Sequence, residues 1–207
     1  MDSRKNYALA IAGIIFTAAL LCCHSASAES LKQTVSELKP LVLHYGANNL
    51  QWNGQDLLIV RGKFENGNAW GGDAYTVLVK KKDGSWQLVR HENGGWEGVL
   101  TTTQPHTEED SISAVSFLIP KKDTDSNITA LYLLTTHRNY KESPINIAPA
   151  TFTLDVVRPD KDFGIYYFHK LESESSKARY CNADSAAYHE LDIPLPGDGT
   201  EFPCAND

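Results

Sequence analysis

The chain has 207 residues, 42% of them hydrophobic, with 26 Asp+Glu against 19 Lys+Arg for a formal charge of −7. That length supports one domain with its own core. The acidic balance excludes nucleic acid and anionic membrane as partners, because phosphate neutralisation needs clustered Lys and Arg, and the one basic run, Lys80-Lys81-Lys82, adjoins a turn.

Arg4 and Lys5 precede an apolar run over residues 8–21, and Ala26-Ser27-Ala28 supplies the small-x-small pattern that signal peptidase reads. Residues 1–28 are therefore expected to be a cleaved secretory signal, leaving residues 29–207 as a single exported periplasmic domain with no membrane span. Leu21 before Cys22 and Cys22 before Cys23 do not provide the small residue that lipoprotein acylation needs. The leader carries two basic residues and one acidic one, so the mature chain is more acidic still.

Leu31, Val35 and Leu38 fall at i, i+4 and i+7 and predict a short helix that Pro40 stops. Strands are predicted over 41–45, 57–64, 74–81, 86–91, 112–119, 128–136, 150–157 and 163–171, each rich in β-branched and aromatic residues. Asn53-Gly54, Asn66-Gly67, Asp83-Gly84 and Asn93-Gly94 are turn dipeptides that supply positive φ. Asp83-Gly84 marks a hairpin, with Tyr75, Val77 and Val79 on one face of its first arm and Trp86 and Leu88 on one face of its second. Residues 182–191 fit either a helix or a last strand. Turns at about 10-residue intervals with little helical periodicity predict an all-β fold, an antiparallel sandwich or barrel-like domain of about eight strands with a short N-terminal helix.

Removal of the leader leaves Cys181 and Cys204, and two cysteines in an oxidising compartment predict one disulfide that pins the Pro- and Gly-rich C-terminus. Common enzyme signatures are absent: no Gly-x-Ser-x-Gly elbow, no His-Glu-x-x-His, no phosphate-cradling glycine loop. Ser36-Glu37-Leu38-Lys39 fits Ser-x-x-Lys without the Ser-Asp-Asn and Lys-Thr-Gly elements that complete such a site. His44, His91, His106, His137, His169 and His189 are scattered singly, and Gln51-Trp52-Asn53-Gly54-Gln55-Asp56 has too few carboxylates for a calcium loop. The reading is a protein that is not an enzyme and holds no metal and no cofactor. Asn127-Ile128-Thr129 forms a glycosylation sequon.

Binding is the remaining class. Gly67, Gly71 and Gly72 punctuate a stretch that carries Asn68, Trp70, Asp73 and Tyr75, and Trp96 is also glycine-flanked, within Gly94-Gly95-Trp96-Glu97-Gly98. Aromatics beside Asn and Asp in loops between strands suit small cyclic molecules or peptide partners. These five residues are the candidate ligand-binding set. One or two of Trp52, Trp70, Trp86 and Trp96 are expected in the core.

The order of Tyr45-Gly46-Ala47-Asn48-Asn49-Leu50, Asn53-Gly54, Asp56-Leu57-Leu58-Ile59-Val60, and Asn68-Ala69 with Asp73 and Tyr75 resembles the carbapenem intrinsic resistance proteins. The likeness is clearest over residues 41–80, with Tyr180-Cys181-Asn182 as a fainter continuation. It implies a periplasmic, β-rich protein that confers self-resistance to a β-lactam without β-lactamase motifs. Gln51, Asn53 and Gln55 replace a fuller acidic run, and Trp70 stands where the family would place histidine, so the resemblance carries no ion site here. A periplasmic inhibitor or immunity-like protein, whose acidic surface blocks a basic partner enzyme, is the alternative.

Overall fold

The computed structural model describes residues 30–65, 70–91, 99–101, 104–105, 111–143, 145–160 and 163–196. The expected signal peptide and Cys204 lie outside these residues. In chain order the elements are α1 (Leu31–Ser36), β1 (Leu38–Pro40), β2 (Gly46–Trp52), β3 (Gln55–Glu65), β4 (Trp70–Lys80), β5 (Trp86–His91), β6 (Val99–Thr101), β7 (Gln104–Pro105), β8 (Ser113–Pro120), β9 (Asn127–Ile128), β10 (Tyr132–Arg138), β11 (Ala148–Pro159), β12 (Tyr166–Tyr180) and α2 (Ala183–Leu191). The all-β expectation holds, with a second helix in addition.

Ten of the strands form one curled, open half-barrel in the order β1-β8-β10-β11-β12-β5-β4-β3-β2-β9, and β6 and β7 pair with β4 off this path. Two antiparallel halves meet where β12 runs parallel to β5, with Tyr166 opposite Val89 and Phe168 opposite His91. The connection from β8 to β10 crosses to the far edge, where β9 lies parallel to β2. Inside the curl, Leu57, Ile59, Val77 and Val79 from one half pack with Phe117, Leu133, Val157 and Phe168 from the other. The opposite face of the β8-β10-β11 region is also buried, because Leu118, Leu134, Phe152 and Leu154 meet Leu31 and Val35 of α1 and Ala187 and Leu191 of α2. Each fully buried Leu, Ile or Phe contributes about 1.5–3 kcal/mol, so both faces stabilise this half.

Local chemistry explains the corrections to the predicted elements. Helix α1 ends at Ser36, and Leu38 to Pro40 pair with β8 instead of continuing the helix. Ser30 caps α1 by accepting from the Gln33 amide. Residues 41–45 form no strand, and the strand lies just beyond, at Gly46–Trp52. The predicted strand over 128–136 divides into β9 and β10, because Asp123 accepts from both the amide (2.6 Å) and the hydroxyl (2.9 Å) of Thr129 and fixes a turn there. Residues 183–191 are helical: Asn182, the N-cap, accepts from the amides of Asp184 and Ser185, and Asp192 closes the helix in the left-handed region.

Two turns match their sequence signals. Asn53 and Gly54 join β2 to β3 with φ of 49° and 76°, the geometry of a type I′ turn. The Asp83-Gly84 hairpin pairs Leu78 with Leu88 and Lys80 with Trp86. Tyr75, Val77 and Val79 do share the buried face, but the register puts Trp86 and Leu88 on the outer one, and Val89 supplies the buried contact from β5.

Candidate functional site

Alternation along β3 sends Leu57 and Ile59 into the core, and the same side of the strand then carries Arg61 and Lys63. Those two positions lie beyond the apolar stretch of β3, at the end of the curl termed its mouth. On β4 the matching face carries Val77, Tyr75 and Asp73, with Arg61 opposite Tyr75 and Lys63 opposite Asp73. The mouth of the half-barrel is therefore lined by a cation pair, a carboxylate and a phenol.

Asp73 is 5% exposed and gathers the cluster. Its Oδ2 accepts from Arg61 Nη2 at 2.6 Å and Nε at 3.1 Å, and from the Tyr75 hydroxyl at 3.4 Å. Its Oδ1 accepts from the Tyr45 hydroxyl at 3.0 Å. Arg61 Nη1 donates to the Leu43 carbonyl at 3.0 Å. Burial is the largest single influence and works against the Arg61 charge, but Asp73, Tyr75 and Tyr45 together outweigh it and hold the guanidinium above its usual pKa. Burial, with a smaller contribution from Asp73, pushes the Tyr75 phenol up to about 12, so it stays a neutral donor. Below it, the Tyr75 ring meets Phe117 edge-on at 5.3 Å.

Tyr45 is the exposed member, at 53%. The Arg61 guanidinium lies 4.4 Å from its ring centroid and the Lys63 ammonium 5.1 Å away. Its segment is irregular but pinned: Asn48 accepts from the His44 amide and donates to the carbonyls of His44, Gly46 and Ile59. Gly46, at φ 92°, makes the turn that allows this. The run Tyr45-Gly46-Ala47-Asn48 thus places one aromatic plate at the mouth.

Of the predicted ligand-binding residues, Asp73 and Tyr75 come together here, and both are buried as the foundation of the cluster. Trp70 opens β4 opposite Pro105. Asn68 and Trp96 lie outside the described residues. Arg61 and Lys63 were missed by sequence reasoning, and the signal was there: charged residues at inward positions of a strand whose earlier inward positions are Leu and Ile. Trp52 is buried and Trp86 exposed, at 5% and 42%.

The Ser-x-x-Lys match does not assemble, since the Ser36 hydroxyl donates to the Gln33 carbonyl while Lys39, on β1, pairs with Asp125 at 3.5 Å. Among the described residues, no group of three or more His, Cys, Asp and Glu is placed to hold a metal. Likewise, no described helix is long and apolar enough to cross a membrane. A cleft of about 300 Å³ lies between α1, α2 and β12. Two of its charged groups serve the fold: Lys32 pairs with Asp192, and Glu190 accepts from the amides of Lys177 and Ala178 and from the Tyr180 hydroxyl.

No protein-family model matches the chain, and a search of curated proteins finds none similar. Among solved structures the chain is similar to CarG, with 19% identity, a TM-score of 0.60, and coverage of 73% of this chain and 94% of that one. That likeness is one of fold.

Proposed function

We propose that the chain is an exported, non-catalytic binding protein of the periplasm that confers carbapenem self-resistance by binding or shielding rather than by hydrolysis. The observation that carries this reading is the mouth of the half-barrel, where an exposed tyrosine is held over a buried Arg61–Asp73 pair. Asp73, oriented by Arg61, accepts from the Tyr45 hydroxyl and so fixes the aromatic plate in place, an arrangement that suits recognition. The fold likeness to CarG runs in the same direction as the sequence resemblance.

In this reading residues 1–28 are a cleaved signal, residues 29–207 form one domain, and Cys181 bridges to Cys204. Asn68, Trp70 and Trp96 are proposed as further ligand-binding residues alongside Asp73 and Tyr75. The ligand is a small β-lactam. The competing reading, an immunity-like protein that blocks a periplasmic enzyme, would appear as a salt-sensitive protein complex with no drug phenotype.

The test is carbapenem susceptibility of a sensitive bacterium expressing either the full-length chain or the chain without residues 1–28. Protection by the exported form alone is expected. Equal sensitivity of both strains, with exported protein verified in the periplasm, would overturn the proposal.

A further inference from the structure

We infer that the mouth of the half-barrel grips its ligand by a carboxylate, with Lys63 and the outer edge of Arg61 as the anion subsite and the Tyr45 ring as the plate for the ligand's apolar body. The inference rests on the binding reading above and names the end of the ligand that is held.

Charge is the first argument. Asp73 is already committed to Arg61, so the pair is neutral, and Lys63 adds one net positive charge on a chain of formal charge −7. Among the described residues no carboxylate lies within ion-pair distance of Lys63, as is true of most described lysines, and what sets Lys63 apart is its place with Arg61 over the Tyr45 ring. An ammonium without a partner carboxylate attracts a small anion.

Donor supply is the second. Arg61 gives Nε and one Nη2 hydrogen to Asp73 and one Nη1 hydrogen to Leu43, which leaves about two of the five guanidinium hydrogens. Its side chain is 25% exposed, so these can reach a ligand. Lys63 brings its ammonium to the same Tyr45 ring, 5.1 Å from its centroid against 4.4 Å for the Arg61 guanidinium.

Preorganisation is the third. The Tyr45 hydroxyl donates to Asp73, so the ring is fixed by its far end and little rotamer freedom remains to be lost on binding. The ligand class that satisfies all three is a small monocarboxylate whose acid group is attached to a planar or cyclic apolar body. A carbapenem, with a carboxylate on a fused ring, is one member, and benzoate is a simpler one.

The experiment is calorimetric titration of the mature protein with a carbapenem, with the methyl ester of that carbapenem, and with benzoate, repeated on Lys63→Gln and Tyr45→Ala. Thermal unfolding first establishes that each variant is folded. We expect the acid to bind about 10-fold more tightly than the ester, Lys63→Gln to weaken the acid about 5-fold and the ester little, and Tyr45→Ala to weaken both. Benzoate binding that is lost in Lys63→Gln, with no carbapenem bound, would support the carboxylate subsite and sink the carbapenem reading. Acid and ester binding equally, with Lys63→Gln unchanged, would overturn the subsite and leave the binding reading standing. No binding of any of the three would overturn both.

Discussion

Replacing Asp73 removes the acceptor on which four donors of the described residues converge, so Asp73→Ala is the sharpest perturbation of the mouth. The substitution leaves the Arg61 guanidinium with the Leu43 carbonyl as its remaining described acceptor. Breaking a buried ion pair from one side costs about 3–5 kcal/mol because the surviving charge stays desolvated. Arg61 keeps 25% of its side-chain exposure and recovers some hydration, which places the expected loss near the lower limit, about 3 kcal/mol. For a domain of this size that is a fall in Tm of about 6–12 °C. Asp73→Asn keeps the volume and one acceptor and should lose about 2 kcal/mol. The assay is urea unfolding of wild type, both Asp73 variants, Arg61→Met and the double variant Arg61→Met/Asp73→Ala, with constant m as the check on two-state behaviour. A coupling of at least about 1 kcal/mol between the two positions is expected. A loss below about 1 kcal/mol for Asp73→Ala, or additive single effects, would refute the claim that this pair holds the mouth together.

Four further outcomes follow from the same geometry. Tyr75 has its phenol raised to about 12, so the native state binds the proton more tightly than the unfolded chain between pH 10 and 12. Stability is whole below pH 10 and declines by on the order of 2–3 kcal/mol as pH rises through that window, and Tyr75→Phe should flatten the decline in alkaline urea titrations. Burial against Phe168 at 5.3 Å holds the His91 imidazole below its usual 6.5. The unfolded chain therefore takes up that proton first, stability is lost as pH falls below 6.5, and His91→Phe should reduce the slope while keeping the ring contact. Gly54→Ala should cost about 1–2 kcal/mol through its φ of 76° alone, because a Cβ there meets nothing within 4 Å. Gly62→Ala, equally uncrowded and at ordinary φ, should be neutral or stabilising, and chemical denaturation of the two side by side separates strain from packing. Finally, non-reducing intact-mass analysis should find the mature chain two hydrogens lighter than its reduced form, whereas two alkylatable thiols in the unfolded protein would remove the proposed bridge.

The all-β architecture was legible because period-2 alternation and Asn-Gly or Asp-Gly turns are local signals, and Asn53-Gly54 and Asp83-Gly84 sit where they were expected. Strand ends were less legible. β12 was expected to stop at Leu171, and it does change phase there: Asp155 pairs with Lys170 and Leu154 with Glu172, so Leu171 is an inserted bulge residue. Beyond it Glu172, Ser173 and Glu174 continue the ladder with no apolar alternation to announce them. The helix over 183–191 was ambiguous because its buried residues are small, Ala183, Ser185, Ala186 and Ala187, apart from Leu191 at its end, and give little periodic contrast. The site divided the same way. Asp73 and Tyr75 stood out beside their glycines, but their inward direction depends on register with β3, and so does the arrival of Arg61. Tyr45 was visible only within a motif, and its role depends on Asn48 side-chain bonds that no periodicity encodes.

The central claim is that a carbapenem is held and not consumed. Equilibrium dialysis of the purified mature protein against a carbapenem, followed by chemical recovery of the drug from both chambers, measures it directly. The account predicts excess drug on the protein side in a saturable, near-stoichiometric amount, recovered with its lactam ring intact. Loss of many drug molecules per protein molecule to the ring-opened product would contradict the non-hydrolytic mechanism, and equal drug in both chambers would contradict binding itself.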